Sequence, residues 1–165
     1  MNCVNCGAPM TLVSDRGYFA CDYCGTLHFP KPPDDGITAL GIPGTLECPL
    51  CKVPLELAWA GAAQVMLCRR CRGVLVPTAA FSRATTYLRA TAQDPPVTPP
   101  PMNHEDLHRH IACPQCGRQM DVHPYGGPGN IVIDNCPHCQ LNWLDSGEFQ
   151  RVVQAPGRDR RRARD

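Results

Sequence analysis

Cys113-Pro114-Gln115-Cys116 opens a stretch that returns, nineteen residues later, to Cys136-Pro137-His138-Cys139 and runs on as Gln140-Leu141-Asn142-Trp143-Leu144-Asp145-Ser146-Gly147-Glu148-Phe149. A C-x2-C pair folds into a tight turn, or knuckle, that aims two thiolates at one point. Two pairs supply four soft ligands, the donor set of a tetrahedral Zn²⁺ with Zn–S bonds of ~2.3 Å. Four protein ligands leave no open coordination position, so such a metal builds structure and does no chemistry. Between the pairs, residues 119–125 and 131–135 read as the strands of a hairpin. Gly126-Gly127-Pro128-Gly129-Asn130 is its turn, because Gly and Asn supply positive φ. Asp145 and Glu148 have the spacing of an N-cap and its reciprocal partner. This predicts a short helix over 146–153, stopped by Pro156 and Gly157. Trp143, Leu144, Phe149 and Val152 are its expected apolar contacts with the ribbon.

These residues resemble the transcription factor IIB-type zinc-finger domain of small, mostly bacterial proteins. Its pattern runs C-P-x-C-x3-M, a hairpin, then V/I-D-x-C-P-x-C-x-G-x-W-L-D-x-G-E-L. Met120, Ile133, Asp134, Trp143, Leu144, Asp145, Gly147 and Glu148 fall on it. Leu141, where the family often has Gly, and Phe149 in place of Leu are the departures. The match covers about forty of 165 residues and implies a zinc ribbon.

The chain holds twelve Cys, all in C-x2-C pairs, against eighteen Pro, fourteen Gly and only ten aromatic Phe, Tyr and Trp. One large core is not expected, and modules of ~40 residues need a staple to fold. The pairs group as Cys3, Cys6, Cys21, Cys24; Cys48, Cys51, Cys68, Cys71; and Cys113, Cys116, Cys136, Cys139. Their inner spacings of fourteen, sixteen and nineteen residues suit zinc sites. The expectation is a small, metal-stabilised, mainly β protein. It has three zinc-ribbon modules, three Zn²⁺ per chain, and a short helix after the second and third modules. A disulfide framework is the competing reading of an even Cys count. Against it, Met1-Asn2-Cys3 opens inside a metal motif with no secretory leader, and the apolar run 57–67 is too short to span a bilayer. A reducing cytoplasm follows as the expected compartment, with no membrane association.

In chain order, residues 1–30 form the first ribbon. Met10–Val13 and Gly17–Ala20 read as a hairpin turning at Ser14-Asp15-Arg16, with Leu27–Phe29 as a third strand. Both its knuckles end in Gly, a form that resembles rubredoxin and brings iron into consideration. His28 reads as a strand residue, since four thiolates already complete the site. Residues 31–44 read as a linker, with a short extended segment at 37–42.

Residues 45–90 are a worn copy of the third ribbon. Counting from the last ligand, Leu75 takes the place of Trp143, Val76 of Leu144, Thr78 of Ser146 and Phe81 of Phe149. Gly73 supplies the family's Gly that Leu141 lacks, and Pro77 stands where Asp145 caps. The helix that follows places Phe81, Ala84, Tyr87 and Leu88 on one face. Its apolar insert, 55–67, reads as a hairpin buried on one side, against an alternative as an exposed partner-binding patch.

Residues 91–103 contain five of the prolines and read as an extended spacer. Residues 103–111 read as a short capped helix leading into the third ribbon, 104–156. His104 and His108 lie at i, i+4, but no carboxylate or Cys completes a metal set with them. Residues 157–165, with Arg158, Arg160, Arg161, Arg162 and Arg164, read as a disordered basic tail.

The formal charge is +1 with the thiols protonated. Twelve thiolates against three divalent cations subtract six charges, so the loaded protein is negative, which does not suit a dedicated nucleic-acid binder. The chain lacks a phosphate loop, a nucleophile with a base at a recognisable spacing, and an open metal site, so an enzyme is not expected. The reading is a non-catalytic zinc-ribbon adaptor that contacts protein. The alternatives are a nucleic-acid-binding regulator using Arg69, Arg70, Arg72 and the tail, and a rubredoxin-like electron carrier.

Overall fold

The computed structural model describes residues 1–13, 18–30 and 35–160. The expected turn at Ser14-Asp15-Arg16, the start of the first linker and the last five residues of the tail lie outside the described residues. The first ribbon is a three-stranded antiparallel sheet of β1 (Thr11–Val13), β2 (Tyr18–Ala20) and β3 (Leu27–His28). Everything else hangs on one seven-stranded sheet. Its strands are β4 (Ile37–Glu47), β5 (Pro54–Ala60), β6 (Ala63–Leu67), β7 (Val74–Pro77), β8 (Asp121–Pro124), β9 (Val132–Cys136) and β10 (Leu141–Leu144). Their order is β4-β5-β6-β7-β10-β9-β8.

Residues 37–44 are therefore not linker. They belong to an eleven-residue strand paired antiparallel with β5, with register shifts after Ala39 and Pro43. Ile37 and Leu40 of this strand are buried, which gives the apolar insert of the second ribbon a neighbour on its open edge. The insert itself is the β5–β6 hairpin. Leu55, Ala58, Ala60, Ala63, Val65 and Leu67 are buried, in agreement with the hairpin reading.

The second and third ribbons are joined at their third strands. β7 pairs antiparallel with β10, Leu75 facing Trp143, Asn142 facing Val76 and Leu144 facing Val74. Leu75 and Trp143 are equivalent positions of the two copies, so a local pseudo-twofold axis passes between them. Helix α1 (Thr78–Thr91) and helix α2 (Glu148–Gln154) pack against each other on one face of the sheet. There Phe81 and Phe149, again equivalent positions, meet edge-on at 6.0 Å between ring centroids. Sheet alternation sends Val74, Val76, Leu144, Ile131 and Ile133 into this helix-side core. It sends Leu75, Trp143, Met120, Leu141 and Leu55 to the opposite face, among the knuckles. Trp143 thus packs away from Phe149 and Val152, not with them, because its place on β10 is one residue out of phase with Leu144.

The helices start as their neighbours allow. α1 begins after Pro77 with no side-chain cap, and buries Ala80, Phe81, Ala84 and Arg89. Tyr87 is half exposed, off the face that the sequence assigns it, while Leu88 packs onto the core. α2 starts two residues later than its sequence suggests, behind Gly147 at φ 80°. The helix expected before the third ribbon is a single 3₁₀ turn (His104–His108), capped by the Asn103 side chain.

The spacer and tail are both docked. Val97 N–H donates to the Gln154 carbonyl at 2.9 Å, and Asn130 Nδ2 donates to the Pro100 carbonyl at 3.1 Å. Arg160 is 5 % exposed and donates to the carbonyls of Val153 and Asp94. Arg160, with Asp159 paired to Arg89, is thus held against the fold while residues 157–159 stay exposed, where the sequence predicts a disordered tail.

Candidate metal centres

The twelve cysteines fall into the three groups that their spacing assigns, and within each group the four sulfurs lie within 4.8 Å of one another. A tetrahedron with Zn–S bonds of ~2.3 Å has S···S edges of ~3.8 Å. Cys3–Cys24 at 3.6 Å, Cys6–Cys21 at 3.5 Å, Cys48–Cys71 at 3.7 Å and Cys116–Cys136 at 3.7 Å approach that edge. A disulfide needs ~2.05 Å, and all twelve thiols are free. The disulfide reading is excluded by this geometry.

One local backbone device builds all six knuckles. The residue after the second Cys is left-handed every time: Gly7 at φ 75°, Gly25 at 73°, Lys52 at 55°, Arg72 at 62°, Gly117 at 74° and Gln140 at 54°. In the first five, the amide of that residue donates to the carbonyl of the first Cys at 2.8–3.0 Å, and the amide of the first Cys donates five residues ahead at 2.8–2.9 Å. The turn also aims amides at sulfur, as from Cys51 N to Cys48 Sγ at 3.3 Å and Cys139 N to Cys136 Sγ at 3.4 Å.

The thiol chemistry is uneven in the way a crowded anionic site requires. The Thr26 hydroxyl and amide hold the Cys24 thiol down to about 6. The Arg118 amide holds Cys116 down to about 7. Burial and the neighbouring thiols push Cys139 up to about 12. At Cys6 the Ala8 amide lowers the pKa, yet the Cys24 and Cys21 thiols outweigh it and lift it to about 12. Burial first, and neighbouring thiols after it, raise Cys113 and Cys48 against the backbone amides that lower them. Four thiols this close ionise together only around a cation, and a divalent ion preferring soft tetrahedral ligands is what the donor set fits. The three groups fit three Zn²⁺ per chain. The outer two sulfurs of the first group, on Cys6 and Cys24, are exposed, whereas each group in the large sheet has none exposed.

The acidic pattern of the third ribbon serves architecture. Glu148 Oε2 accepts the Asp145 amide at 2.7 Å, half of the expected capping box. The Asp145 carboxylate does not cap the helix. It accepts from Trp143 Nε1 at 3.1 Å and from Arg109 at 2.5 Å. Arg109 also reaches the fully buried Asp134 at 2.6 Å. Burial raises the Asp134 pKa, against the Arg109 charge that lowers it. Asp106, Asp145 and Glu148 bring carboxylate oxygens close together, but hydrogen bonds and Arg109 engage them. His104, His108 and His138 enter no metal-capable group among the described residues.

Four arginines find partners that the sequence did not reveal. Arg109 is one. Arg89, buried in α1, donates to the Val152 and Ala155 carbonyls at the end of α2 and pairs with Asp159. That places a cation at the helix C-terminus, where the macrodipole favours it. Arg69 pairs with the buried Glu56, and Arg72 pairs with Asp35 at 2.5 Å. The basic knuckle is thereby partly neutralised, with carboxylates as well as thiolates as its counter-ions. Nothing in the local sequence links Arg72 to Asp35, 37 residues away.

No characterised protein and no solved structure gives a significant match to the chain. Residues 112–155, the third ribbon, match the family described as transcription factor zinc-finger, a zinc ribbon of the TFIIB type.

Proposed function

We propose that this zinc-binding protein is a non-catalytic adaptor of a reducing cytoplasm that works by contacting other proteins. The observation that carries this is the distribution of exposed large apolar side chains. Met1, Val4, Tyr23, Leu27 and Phe29 all lie in the first ribbon, against three elsewhere among the described residues. Val4 and Tyr23, at 89 % and 88 % exposure, sit within the two C-x2-C turns themselves. Exposed apolar surface of this kind marks contact sites. The four-thiolate groups leave a bound metal no open position for substrate. No helix among the described residues is long and apolar enough to cross a membrane.

The test is a photo-crosslinking residue placed at Tyr23, and separately at Leu50 in the second ribbon, in native cells with and without nuclease. The adaptor reading expects a discrete protein adduct from position 23 that nuclease leaves intact. Adducts that vanish with nuclease would overturn it in favour of the regulator. The engagement of Arg69 by Glu56 and of Arg72 by Asp35 argues against a phosphate-binding knuckle. Duplex and single-stranded DNA should bind weakly and lose affinity toward physiological salt, since few cations remain to displace counter-ions. A chain ending at Arg160 is the right truncation, because Arg160 is buried and Asp159 pairs with Arg89. An electron carrier would be coloured and would cycle reversibly when isolated with iron.

A further inference from the structure

The first ribbon has the same plan as the other two: a hairpin between its knuckles, then a third strand after the second knuckle, paired to the hairpin. β3, β7 and β10 are these third strands. The correspondence is legible residue by residue. Cys24-Gly25-Thr26-Leu27-His28-Phe29-Pro30 runs beside Cys71-Arg72-Gly73-Val74-Leu75-Val76-Pro77, both ending in Pro six positions past the last ligand. In the large sheet, the outer edges of the two third strands pair with each other across the pseudo-twofold axis. Among the described residues β3 pairs only with β2, and its other edge has no strand beside it. The strand that follows, β4, goes to β5 instead.

We propose that two copies of this chain associate through β3, antiparallel across a true twofold axis, reproducing between chains the seam that β7 and β10 form within one. Three ribbons in a chain that joins ribbons in pairs leave one unpaired. The edge is self-complementary in the required register. Leu75 facing Trp143 sets the axis of the internal seam. The equivalent residue His28 then faces its own copy, and Leu27 faces Phe29 of the second chain, twice. These are the residues left exposed, Leu27 at 49 % and Phe29 at 63 %. They correspond to Val74 and Val76, which the internal seam and the helices bury. Phe29 already stacks on Tyr18 at 5.1 Å between centroids, so each chain would bring a preformed aromatic pair. Cross-strand apolar pairs of this kind stabilise antiparallel ladders. Edge strands that avoid pairing carry charges, and Leu27, His28 and Phe29 carry no acidic residue, Lys or Arg. Leu27 and Phe29 also belong to the exposed apolar set behind the adaptor reading, but Val4 and Tyr23 lie on the knuckles and not on this edge, so a crosslink from position 23 and the mass of the chain test the two readings separately.

The test is sedimentation equilibrium of the zinc-loaded full chain from micromolar to millimolar concentration. The weight-average mass should climb from the 18.1 kDa of one chain toward twice that value. Leu27→Lys with Phe29→Lys sets like charges opposite each other and should weaken association at least ~10-fold. That variant should still hold three zinc, because positions 27 and 29 alternate away from the metal face. Leu50→Ser, an exposed apolar change on another ribbon, should leave association unchanged. A wild-type chain that stays at single-chain mass throughout overturns the proposal. So does a dimer indifferent to the paired Lys substitutions. Should the Lys variant lose metal from the first ribbon, a mixed-label NMR sample of wild-type dimer decides. Contacts between Leu27 of one chain and Phe29 of the other support it, and their absence overturns it.

Discussion

Gly73 lacks a side chain because Trp143 occupies the space. A Cβ built at Gly73 would come within 2.2 Å of Trp143 Cζ2, a clash that must move the indole. The equivalent position of the third ribbon is Leu141, and there the residue equivalent to Trp143 is the smaller Leu75. Gly73→Ala should therefore cost ~1–3 kcal/mol, the usual range for overpacking. Trp143→Ala, at a fully buried position, should cost ~3–5 kcal/mol. The two costs should not add: with Ala at 143, Gly73→Ala should be nearly neutral, since its obstacle is gone. Denaturant titration of the four zinc-loaded chains measures this, and additive costs would contradict the contact. Lys52 gives a second residue-scale expectation. It holds φ 55° where three of the six knuckles have Gly, and a side chain in the left-handed region is disfavoured. Lys52→Gly should raise stability by ~0.5–1 kcal/mol, with Gly117→Ala moving it the opposite way.

At the scale of elements, α2 is seven residues long and has no side-chain cap. Isolated helices this short do not form. What holds it is Glu148 below, accepting the amides of Asp145 and Val132, and Arg89 above, capping its last carbonyls. Burial pushes the Glu148 carboxyl up to about 7 despite the Asp145 amide that lowers it. Its folded pKa lies above its unfolded value, so the folded state binds the extra proton. The stability this supplies is present at low pH and is lost as pH rises through about 7. Glu148→Gln cannot titrate. The stability of wild type relative to Glu148→Gln should therefore increase as pH falls from 8 toward 5, a difference in which the acid sensitivity of the zinc sites cancels. A difference independent of pH would place this carboxyl in an ordinary range.

At the scale of the whole molecule, the two separate sheets predict two cooperative bodies. Among its described residues the first ribbon has Phe19 as its one buried apolar side chain apart from Cys3 and Cys21. Its metal group is also the most exposed. The second and third ribbons share a sheet, a helix pair and the spacer docked across them. Their zinc groups border one apolar cluster with Trp143 at its centre. Stepwise chelation should release one zinc early with little change in Trp143 fluorescence, and then two together with loss of the tertiary signal. Three independent releases, or two early ones, would show that the seam does not couple the ribbons.

The sequence by itself determined the metal groups and the local plan. C-x2-C spacing places two sulfurs together whatever surrounds them, so the three groups of four sulfurs that the fold brings together are those the local turns assign. The W-L-D-x-G-E run identified the third ribbon, and its worn copy identified the second. Tertiary structure decided how the copies meet. Strand pairing between β7 and β10 depends on an edge-to-edge register that sets Leu75 against Trp143, 68 residues away, and no local pattern records it. That register sent Trp143 to the knuckle face and gave Gly73 its reason. It likewise turned residues 37–44 from linker into strand, because their apolar positions found β5 as a neighbour. It bound the spacer and residues 157–160 to the end of α2. Arg89, Arg109 and Arg160 look like surface charges in the sequence. They became buried or bridging groups because distant carbonyls and carboxylates converge on them, and that convergence exists only once the sheet has formed.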